Sequence, residues 1–263
     1  MVLEFGDARI ERMTPPSAVL FDLDDTLAPP HTPITPSMTE KLDRLLGLRP
    51  VAIVSAAPFE RIERDVLSKL SMHQTVGGIY VFSENGGQCR VKEPGGWRVM
   101  YSESLSPNER SELRTTVEQT LAHTRVLDGL PIYGERIINR EAGVTLSTLG
   151  MGAPQDVRKT WDPDGEKREL LRMALAAKLP NWNVYIGGLT SIDISRKNVS
   201  KARAVEWLVN KLRHPPATML YIGDALYEGG NDRVVIPTGI QTRQVSGADE
   251  TEQIIDEILV ACA

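Results

Sequence analysis

The sequence has few cysteines and no long apolar segment. Cys89 and Cys262 are far apart and outside any metal-type spacing, so they predict neither a disulfide framework nor a zinc site. No stretch approaches the roughly 18 apolar residues of a membrane-spanning helix. The first dozen residues include Asp7 and lack the apolar core of a signal peptide. We therefore expect a cytoplasmic chain that neither crosses a membrane nor is secreted by that route.

A basic excess is also missing. The formal charge is −5 and the pI is about 5.5, which argues against nucleic acid as a partner. Hydrophobic residues make up 41% and charged residues 25% of the chain, as in ordinary globular proteins. With 263 residues, no internal repeat and no low-complexity tract, one or two domains are expected. The oligomeric state stays open between monomer and homodimer.

Two strand–helix units are predicted near the start of the chain. The apolar runs 17–22 and 51–55 are typical of buried parallel strands. A helix is predicted over 36–46, because Thr35 and Pro36 form a start signal and Gly47 a stop. A second helix is predicted over about 58–70. These units indicate an α/β core.

The middle of the chain has a different pattern. Residues 88–101 alternate around Gly95-Gly96 as in a hairpin, and Ser106 to Glu109 form a capping box that opens a helix to about residue 122. A strand is predicted over 143–149 and a helix from Asp162 to about 178. Strand–helix units return with a strand at 192–194, a helix over 199–212 and a strand at 219–222. We predict a Rossmann-like parallel-sheet core (1–85 and 189–263) split by an α+β cap (86–188).

Asp22 and Asp24 follow the first predicted strand, where sites of α/β proteins lie. One carboxylate can attack phosphorus to form an aspartyl phosphate, and a second can protonate the leaving oxygen and then activate water. The alternative is an ordinary acidic turn capped by Thr26, and the local pattern alone gives the two interpretations roughly even odds.

A second acidic segment follows the predicted strand at 219–222. Asp224 comes directly after it, and Gly229, Gly230, Asn231 and Asp232 follow in one loop. Oxygen ligands from two strand ends suit Mg²⁺. The alternative is a glycine-rich surface turn with solvated acids, which carries roughly one chance in four for this loop alone.

Ser55 and Lys201 are candidate phosphate ligands. Ser55 ends the second predicted strand, so its hydroxyl and the following amides can hold phosphate oxygens, although a helix-capping serine explains it equally well. Lys201 lies in the first turn of a predicted helix, where the helix dipole disfavours a cation. A solvated lysine is the commoner explanation for one such residue. The four strand ends together favour a phosphate site.

The segments FDLDDT, VS, NVSKARAV and IGDALYEGGND occur in the order of the four motifs of the haloacid dehalogenase superfamily, which the chain therefore resembles. The resemblance implies Mg²⁺ as cofactor and a role for each motif residue. These are a nucleophile at Asp22, a general acid/base at Asp24, phosphate holders at Ser55 and Lys201, and Mg²⁺ ligands at Asp22, the Asp24 carbonyl and Asp224, supported by Asn231 and Asp232.

The insertion resembles the α/β cap of the Cof-type and phosphomannomutase branch. VFSENGG is similar to the entrance of that cap, YIGGLTSIDI to its exit strand, and APQDVRKTWDPDGEKR to bacterial phosphomannomutase-like hydrolases. By this resemblance, Ser191 and Asp193 would contact the sugar and Arg140 a phosphate. We therefore expect a small sugar phosphate as substrate.

The departures from this branch favour a phosphatase over a mutase. Where its mutases carry further arginines, this chain has Tyr133, Met151 and His31, and a mutase must hold a second phosphate. Whether Arg136 or His31 replaces them is left open. We expect a phosphatase with an aspartyl-phosphate intermediate. A phosphomannomutase or phosphoglucomutase using a sugar bisphosphate is the alternative, and a non-catalytic sugar-phosphate sensor is a second.

Overall fold

The computed structural model describes residues 14–71 and 75–262. Within these ranges the chain forms eleven β-strands and seven α-helices. The strands are β1 (Val19–Phe21), β2 (Val51–Val54), β3 (Ile79–Ser83), β4 (Gln88–Glu93), β5 (Gly96–Ser102), β6 (Ile137–Asn139), β7 (Gly143–Ser147), β8 (Trp182–Ile186), β9 (Ser191–Arg196), β10 (Leu220–Gly223) and β11 (Gln241–Gln244). The helices are α1 (Pro36–Leu46), α2 (Phe59–Asp65), α3 (Pro107–Thr124), α4 (Gln155–Trp161), α5 (Glu166–Lys178), α6 (Lys201–Leu212) and α7 (Ala248–Ala261).

The described residues divide into two compact units. The first comprises 14–53, 63–71, 75–79 and 209–262, and the second comprises 54–62 and 80–208. None of the helices in the described ranges has the length and apolar character needed to cross a membrane. Each unit has its own buried apolar residues.

The first unit contains parallel strands in the order β11-β10-β1-β2. β1 lies between β10 and β2 in register, with Phe21 opposite Ile222 on one side and Ile53 on the other. Strands β1, β2 and β10 are buried on both faces, which explains their continuous apolar sequence, whereas the edge strand β11 is exposed. This arrangement confirms the predicted α/β class.

Helix α1 begins and ends at the predicted residues. The Thr35 hydroxyl accepts a hydrogen bond from the Met38 amide at 3.0 Å, and Pro36 occupies the first turn. The helix packs against α7, and Lys41 forms a 2.5 Å ion pair with Asp256 at this contact. Leu42 of α1 and Ile255 of α7 are among the buried apolar side chains of this unit.

The second unit contains an antiparallel meander, β3-β4-β5. The predicted hairpin around Gly95-Gly96 is confirmed, and its register shifts between Cys89 and Arg90, a β-bulge. The indole of Trp207 in α6 contacts the rings of Tyr80, Phe82 and Tyr101 edge-on or tilted.

The second unit also contains a four-stranded antiparallel sheet in the order β6-β7-β9-β8. Helices α3 and α5 pack on one face over a core that includes Leu146, Leu171 and Ile192. Since strand side chains alternate between faces, the other face carries polar residues such as Thr145 and Asp193. The predicted capping box at Ser106 is confirmed, with Glu109 bonding back to the Ser106 amide at 2.9 Å.

Two features of the cap region differ from the sequence-based expectations. Helix α5 begins at Glu166 rather than at Asp162, because the Asp162 carboxylate lies outside the helix and accepts bonds from the amides of Lys167 and Arg168. The short elements β6, β8 and α4 had no clear sequence pattern. A separate antiparallel sheet is present as expected for a cap, while the boundaries 1–85, 86–188 and 189–263 stay a prediction.

Candidate active site

Three carboxylates of the first unit converge at the carboxyl ends of β1 and β10. Asp22, Asp224 and Asp232 each offer an oxygen atom, and these atoms lie within 4.8 Å of one another. Because β1 and β10 are parallel neighbours in register, Asp22 and Asp224 leave the sheet at the same edge. Asp22 and Asp232 are buried and Asp224 is half-buried.

Asp232 is held in place by neighbouring donors. The Tyr221 hydroxyl donates to its Oδ1 at 2.5 Å, and the Ala225 amide donates to its Oδ2 at 3.1 Å. Burial, and then the charge of Asp232, raises the pKa of the Tyr221 phenol well above its ordinary value. A Cβ at Gly230 would collide with the Ala225 carbonyl, so glycine there allows the tight return of the loop from Asp224 to Asp232.

The carboxylate oxygens fit a Mg²⁺ ion. Mg²⁺ binds oxygen ligands at about 2.0–2.1 Å in octahedral geometry and takes one or two carboxylates with waters and phosphate oxygens. Oxygen ligands of such an ion are separated by about 3–4 Å, and the three carboxylates approach this spacing. Asn231 precedes Asp232 but is exposed, and its role as a supporting ligand stays a prediction.

Asp24 lies in a tight turn directly after Asp22. The turn is closed by a 2.8 Å bond from the Asp25 amide to the Ala28 carbonyl and by an isolated bridge between Asp24 and Ala28. Asp24 is half-buried, Asp25 is exposed, and the Asp24 carboxyl is outside the group of three among the described residues. The separation of the Asp24 carboxyl from that group is compatible with the predicted acid/base role.

Ser55 and Lys201 lie in the second unit, and both are buried, with about 1% of each residue exposed. The Ser55 hydroxyl accepts a bond from the Ala57 amide at 3.1 Å, but α2 begins only at Phe59, so this bond belongs to a local turn and not to a helix cap. Lys201 is the first residue of α6. The interpretation of Lys201 as a solvated lysine is wrong. Its role as a phosphate holder stays a prediction.

The predicted substrate residues lie on or beside the polar face of the sheet β6-β7-β9-β8. Arg140 Nε donates to the Thr145 hydroxyl at 3.2 Å, which donates to Asp193 Oδ1 at 2.6 Å. Burial raises the pKa of Asp193, while Thr145 and the charge of Arg140 oppose this rise. Ser191 Oγ accepts from the Gly188 amide at 2.8 Å. Arg140 and Asp193 thus belong to one network, and Ser191 shapes the turn before β9.

A family model of haloacid dehalogenase-like hydrolases matches residues 19–232. The chain belongs to this family. A phosphomannomutase of Spinacia oleracea is 27% identical over 226 residues, which cover 83% of this chain and 85% of that protein. A probable phosphomannomutase of Caenorhabditis elegans is 25% identical over 94% of this chain and 98% of that protein.

Solved structures show the same haloacid dehalogenase-like fold. An IMP-nucleotidase of Plasmodium falciparum superposes with a TM-score of 0.68 at 17% identity and covers 93% of this chain and 68% of its own. A haloacid dehalogenase-like hydrolase of Bacteroides thetaiotaomicron gives a TM-score of 0.65 at 16% identity, with 92% and 99% coverage. At these sequence identities, the likeness shows the fold and says nothing about the substrate.

In this haloacid dehalogenase-like chain, the sequence reasoning missed the polar residues that pack around the predicted cap residues. Tyr185 lies opposite Asp193 in the β8–β9 pairing, and its hydroxyl accepts a bond from Asn85 Nδ2 at 2.6 Å. Glu84 and Asn85 adopt left-handed backbone conformations. The alternation of Asn183 and Tyr185 with apolar neighbours in β8 was the available signal.

Arg136, Tyr133 and Met151 also lie in the second unit, whereas His31 lies in the first. Arg136 precedes β6, and its Nε and Nη2 atoms are buried with no hydrogen-bond partner among the described residues. Burial lowers the pKa of its guanidinium. Tyr133 packs against the apolar core between the sheet β6-β7-β9-β8 and its helices, and Met151 is 49% exposed.

Proposed function

We propose that the chain is a Mg²⁺-dependent phosphatase of a small sugar phosphate that forms an aspartyl phosphate on Asp22. The observation that carries the proposal is the convergence of Asp22, Asp224 and Asp232 at the ends of β1 and β10. The family match and the phosphomannomutase relatives support phosphoryl transfer and a sugar phosphate.

The proposed reaction has two steps. Asp22 attacks the phosphorus atom in line, while the Asp24 carboxyl gives its proton to the departing sugar oxygen. Asp24 then takes a proton from a water molecule, which attacks the aspartyl phosphate, releases inorganic phosphate and frees Asp22. Mg²⁺, held by Asp22, Asp224 and Asp232, would neutralise the negative charge of the phosphoryl oxygens. Ser55 and Lys201 are assigned as phosphate holders by the resemblance.

A mutase is the second candidate, and Arg136 favours it. A half-buried guanidinium with two unpaired N–H groups is costly and is stabilised by an anion. Arg136 thus supplies a second cap arginine besides Arg140, where the sequence comparison had matched one. A second phosphate of a sugar bisphosphate is the anion that a mutase would place there.

A product assay decides between water and sugar as the acceptor. The protein is incubated with Mg²⁺ and mannose 1-phosphate, glucose 1-phosphate or the 6-phosphates, with and without a catalytic amount of the 1,6-bisphosphate. Free phosphate without bisphosphate is expected. Interconversion of the 1- and 6-phosphates that depends on bisphosphate would instead establish the mutase. Tight binding without any product would contradict both and favour a sensor.

A further inference from the structure

A buried tyrosine of the parallel strand β10 contacts the group of three carboxylates without belonging to it. We call Asp22, Asp224 and Asp232 the acidic cluster. Tyr221 lies in β10, an otherwise apolar strand, and is fully buried. A phenol hydroxyl in such surroundings requires a hydrogen-bond partner. The partner is Asp232, whose Oδ1 accepts a bond from the Tyr221 hydroxyl at 2.5 Å.

The strand β10 also provides space for the Asp232 carboxylate. Tyr221 and Gly223 are two positions apart in β10, so they lie on the same face of the strand. A Cβ at position 223 would collide with Asp232 Oδ2 and would lie 2.8 Å from its Cγ. Glycine therefore allows the carboxylate to approach the strand closely, at the place where the Tyr221 hydroxyl reaches it.

The backbone of the loop after β10 holds the other oxygen of this carboxylate. The Ala225 amide donates to Asp232 Oδ2 at 3.1 Å, and the Asp232 amide donates to the Ala225 carbonyl at 3.1 Å. The last torsion of an aspartate side chain is otherwise only weakly restricted. With one donor on each oxygen, the plane of the Asp232 carboxylate is fixed by the fold before any ion binds.

Metal ions differ in how strictly they depend on the orientation of their ligands. Mg²⁺ requires nearly ideal octahedral geometry at about 2.0–2.1 Å, whereas Ca²⁺ accepts oxygen ligands at about 2.3–2.6 Å in flexible arrangements. Groups that hydrogen-bond to a ligand fix its orientation, and their loss typically lowers metal affinity by about 10- to 100-fold. A fixed carboxylate therefore favours the ion with the stricter geometry.

We propose that Tyr221 is a positioning residue that makes the acidic cluster select Mg²⁺ over Ca²⁺. It acts through Asp232, because its hydroxyl holds the carboxylate of that residue in one orientation. The proposal rests on the proposed function, which assigns the acidic cluster to a metal ion. Tyr221, Gly223, Ala225 and Asp232 all lie in the first unit.

The alternative is that the bond from Tyr221 to Asp232 only stabilises the fold. A hydrogen bond to a charged group contributes to the free energy of unfolding whether or not an ion binds. A loss of stability alone would weaken the binding of both ions alike. The ratio of the Kd for Ca²⁺ to the Kd for Mg²⁺ separates the two roles, because a change in the orientation of Asp232 affects the two ions differently.

The test compares Tyr221→Phe with Tyr101→Phe. Tyr221→Phe removes the hydroxyl and keeps the buried ring. Tyr101 belongs to the second unit, and its hydroxyl donates to the Gly86 carbonyl at 2.9 Å, so Tyr101→Phe loses a comparable bond away from the acidic cluster. Isothermal titration calorimetry with MgCl₂ and, separately, CaCl₂ at constant ionic strength measures both Kd values without substrate. Far-UV circular dichroism verifies that each variant folds.

We expect Tyr221→Phe to raise the Kd for Mg²⁺ by about 10- to 100-fold and the Kd for Ca²⁺ by less than about threefold. The ratio of the Kd for Ca²⁺ to the Kd for Mg²⁺ should therefore fall, whereas Tyr101→Phe should keep the ratio of the wild type. A ratio that does not fall in Tyr221→Phe overturns the proposal, and an equal rise in both Kd values would assign Tyr221 to stability alone.

Asp232→Ala provides a second variant in case Tyr221→Phe does not fold. Because Tyr221 acts through Asp232, removal of this carboxylate should also lower the ratio of the two Kd values. Tyr221→Phe added to Asp232→Ala should then change the ratio no further. If Asp232→Ala kept the ratio of the wild type, the orientation of Asp232 would not select the ion, and the proposal would be wrong.

The calorimetric titration also separates failure of this proposal from failure of the proposed function. If the wild type binds Mg²⁺ but turns over no phosphate ester, the phosphatase is excluded, and the ratio of the two Kd values still tests Tyr221. If turnover is observed but the ratio does not fall in Tyr221→Phe, only the role of Tyr221 is excluded. If the wild type binds no Mg²⁺, both proposals fail.

Discussion

The two units of the chain use buried carboxylates in opposite ways. In the first unit, Asp22, Asp224 and Asp232 present oxygen atoms to one another within 4.8 Å. In the second unit, Glu84 faces two backbone amides, and Asp162 faces Arg168 and two amides. Each group contains buried carboxylates, namely Asp22 and Asp232 in the first unit and Asp162 in the second. Convergence of like charges distinguishes the first, and it indicates a site for a cation.

The partners of a carboxylate indicate whether its role is chemical or structural. A carboxylate that meets only hydrogen-bond donors is stabilised by the fold and needs no ligand. Carboxylates that lie close together repel one another, and a bound cation reduces this repulsion. Substitutions should therefore affect activity and metal binding in the first unit, and stability in the second.

The largest effect is expected for Asp22→Asn, which removes a carboxylate of the first unit. We expect kcat to fall at least about 10⁴-fold, on the order seen when a nucleophile is removed from a hydrolase, because an amide cannot form the aspartyl phosphate. The fold should persist, since the side chain keeps its size. Phosphate release with Mg²⁺ and the far-UV circular dichroism spectrum measure the two effects.

The control for Asp22→Asn is Asp25→Asn. Asp25 is exposed in the same turn and has a left-handed backbone that asparagine adopts readily. The kcat of Asp25→Asn should remain within a factor of about three of the kcat of the wild type. Equal losses in both variants would show that general charge in this turn, and not nucleophilic attack by Asp22, supports turnover.

The second unit is tested by Asp162→Asn. Asp162 is buried, pairs with Arg168 Nε at 2.8 Å and accepts bonds from the amides of Lys167 and Arg168 at 3.0 Å each. We expect the free energy of unfolding to fall by about 3 kcal/mol, because the half-buried Arg168 would lose its full counter-charge. Urea unfolding followed by circular dichroism measures this loss.

The exposed pair Arg125–Asp128 provides the matched control in the same unit. Its atoms are 2.7 Å apart, but the side chains are 78% and 56% exposed, so Asp128→Asn should cost no more than about 1 kcal/mol. A loss as large as that of Asp162→Asn would contradict the argument from burial.

Asp162 should also give a pH signature. Burial alone would raise the pKa of Asp162, but the bonds from Arg168 and the two amides together lower it. Its stabilisation is therefore complete above the unfolded pKa of about 3.9 and is lost as pH falls through the lower folded value. The difference in the free energy of unfolding between the wild type and Asp162→Asn should be constant from pH 7 to 5 and shrink below about pH 4.

Much of the first unit was predictable because its signals are local. Thr35 and Pro36 start α1 as predicted. Asp22 and Asp224 follow apolar strands, and parallel neighbours bring such residues to one edge. The convergence of these two carboxylates therefore follows from the strand pattern, whereas the inclusion of Asp232 depends on the course of the glycine-containing loop.

The second unit was less predictable because its key contacts join distant residues. Asn85 and Tyr185 are 100 positions apart, and no local pattern pairs them. Lys201 could not be recognised as buried, since a helix's first turn contains both solvated and buried lysines. The contact of the Arg90 guanidinium with the Phe59 ring likewise joins two elements that are separate in the sequence.

The smallest predicted effect is the stabilisation of the chain by Mg²⁺, which can be measured without any substrate. If the three carboxylates of the first unit form a cation site, Mg²⁺ at 100 times its Kd should stabilise the fold by about 2.7 kcal/mol. This corresponds to a rise in Tm of about 5–10 °C for a chain of this size. Differential scanning calorimetry measures the rise against NaCl of equal ionic strength, which controls for screening.

Asp224→Asn should abolish this rise, whereas Glu228→Gln should keep it. Glu228 is an exposed acid of the same loop, so it matches Asp224 in charge and position along the chain but not in convergence. If Mg²⁺ raised the Tm equally in the wild type, Asp224→Asn and Glu228→Gln, the ion would bind elsewhere. The proximity of Asp22, Asp224 and Asp232 would then be a feature of the fold alone, and the contrast between the two units would lose its functional meaning.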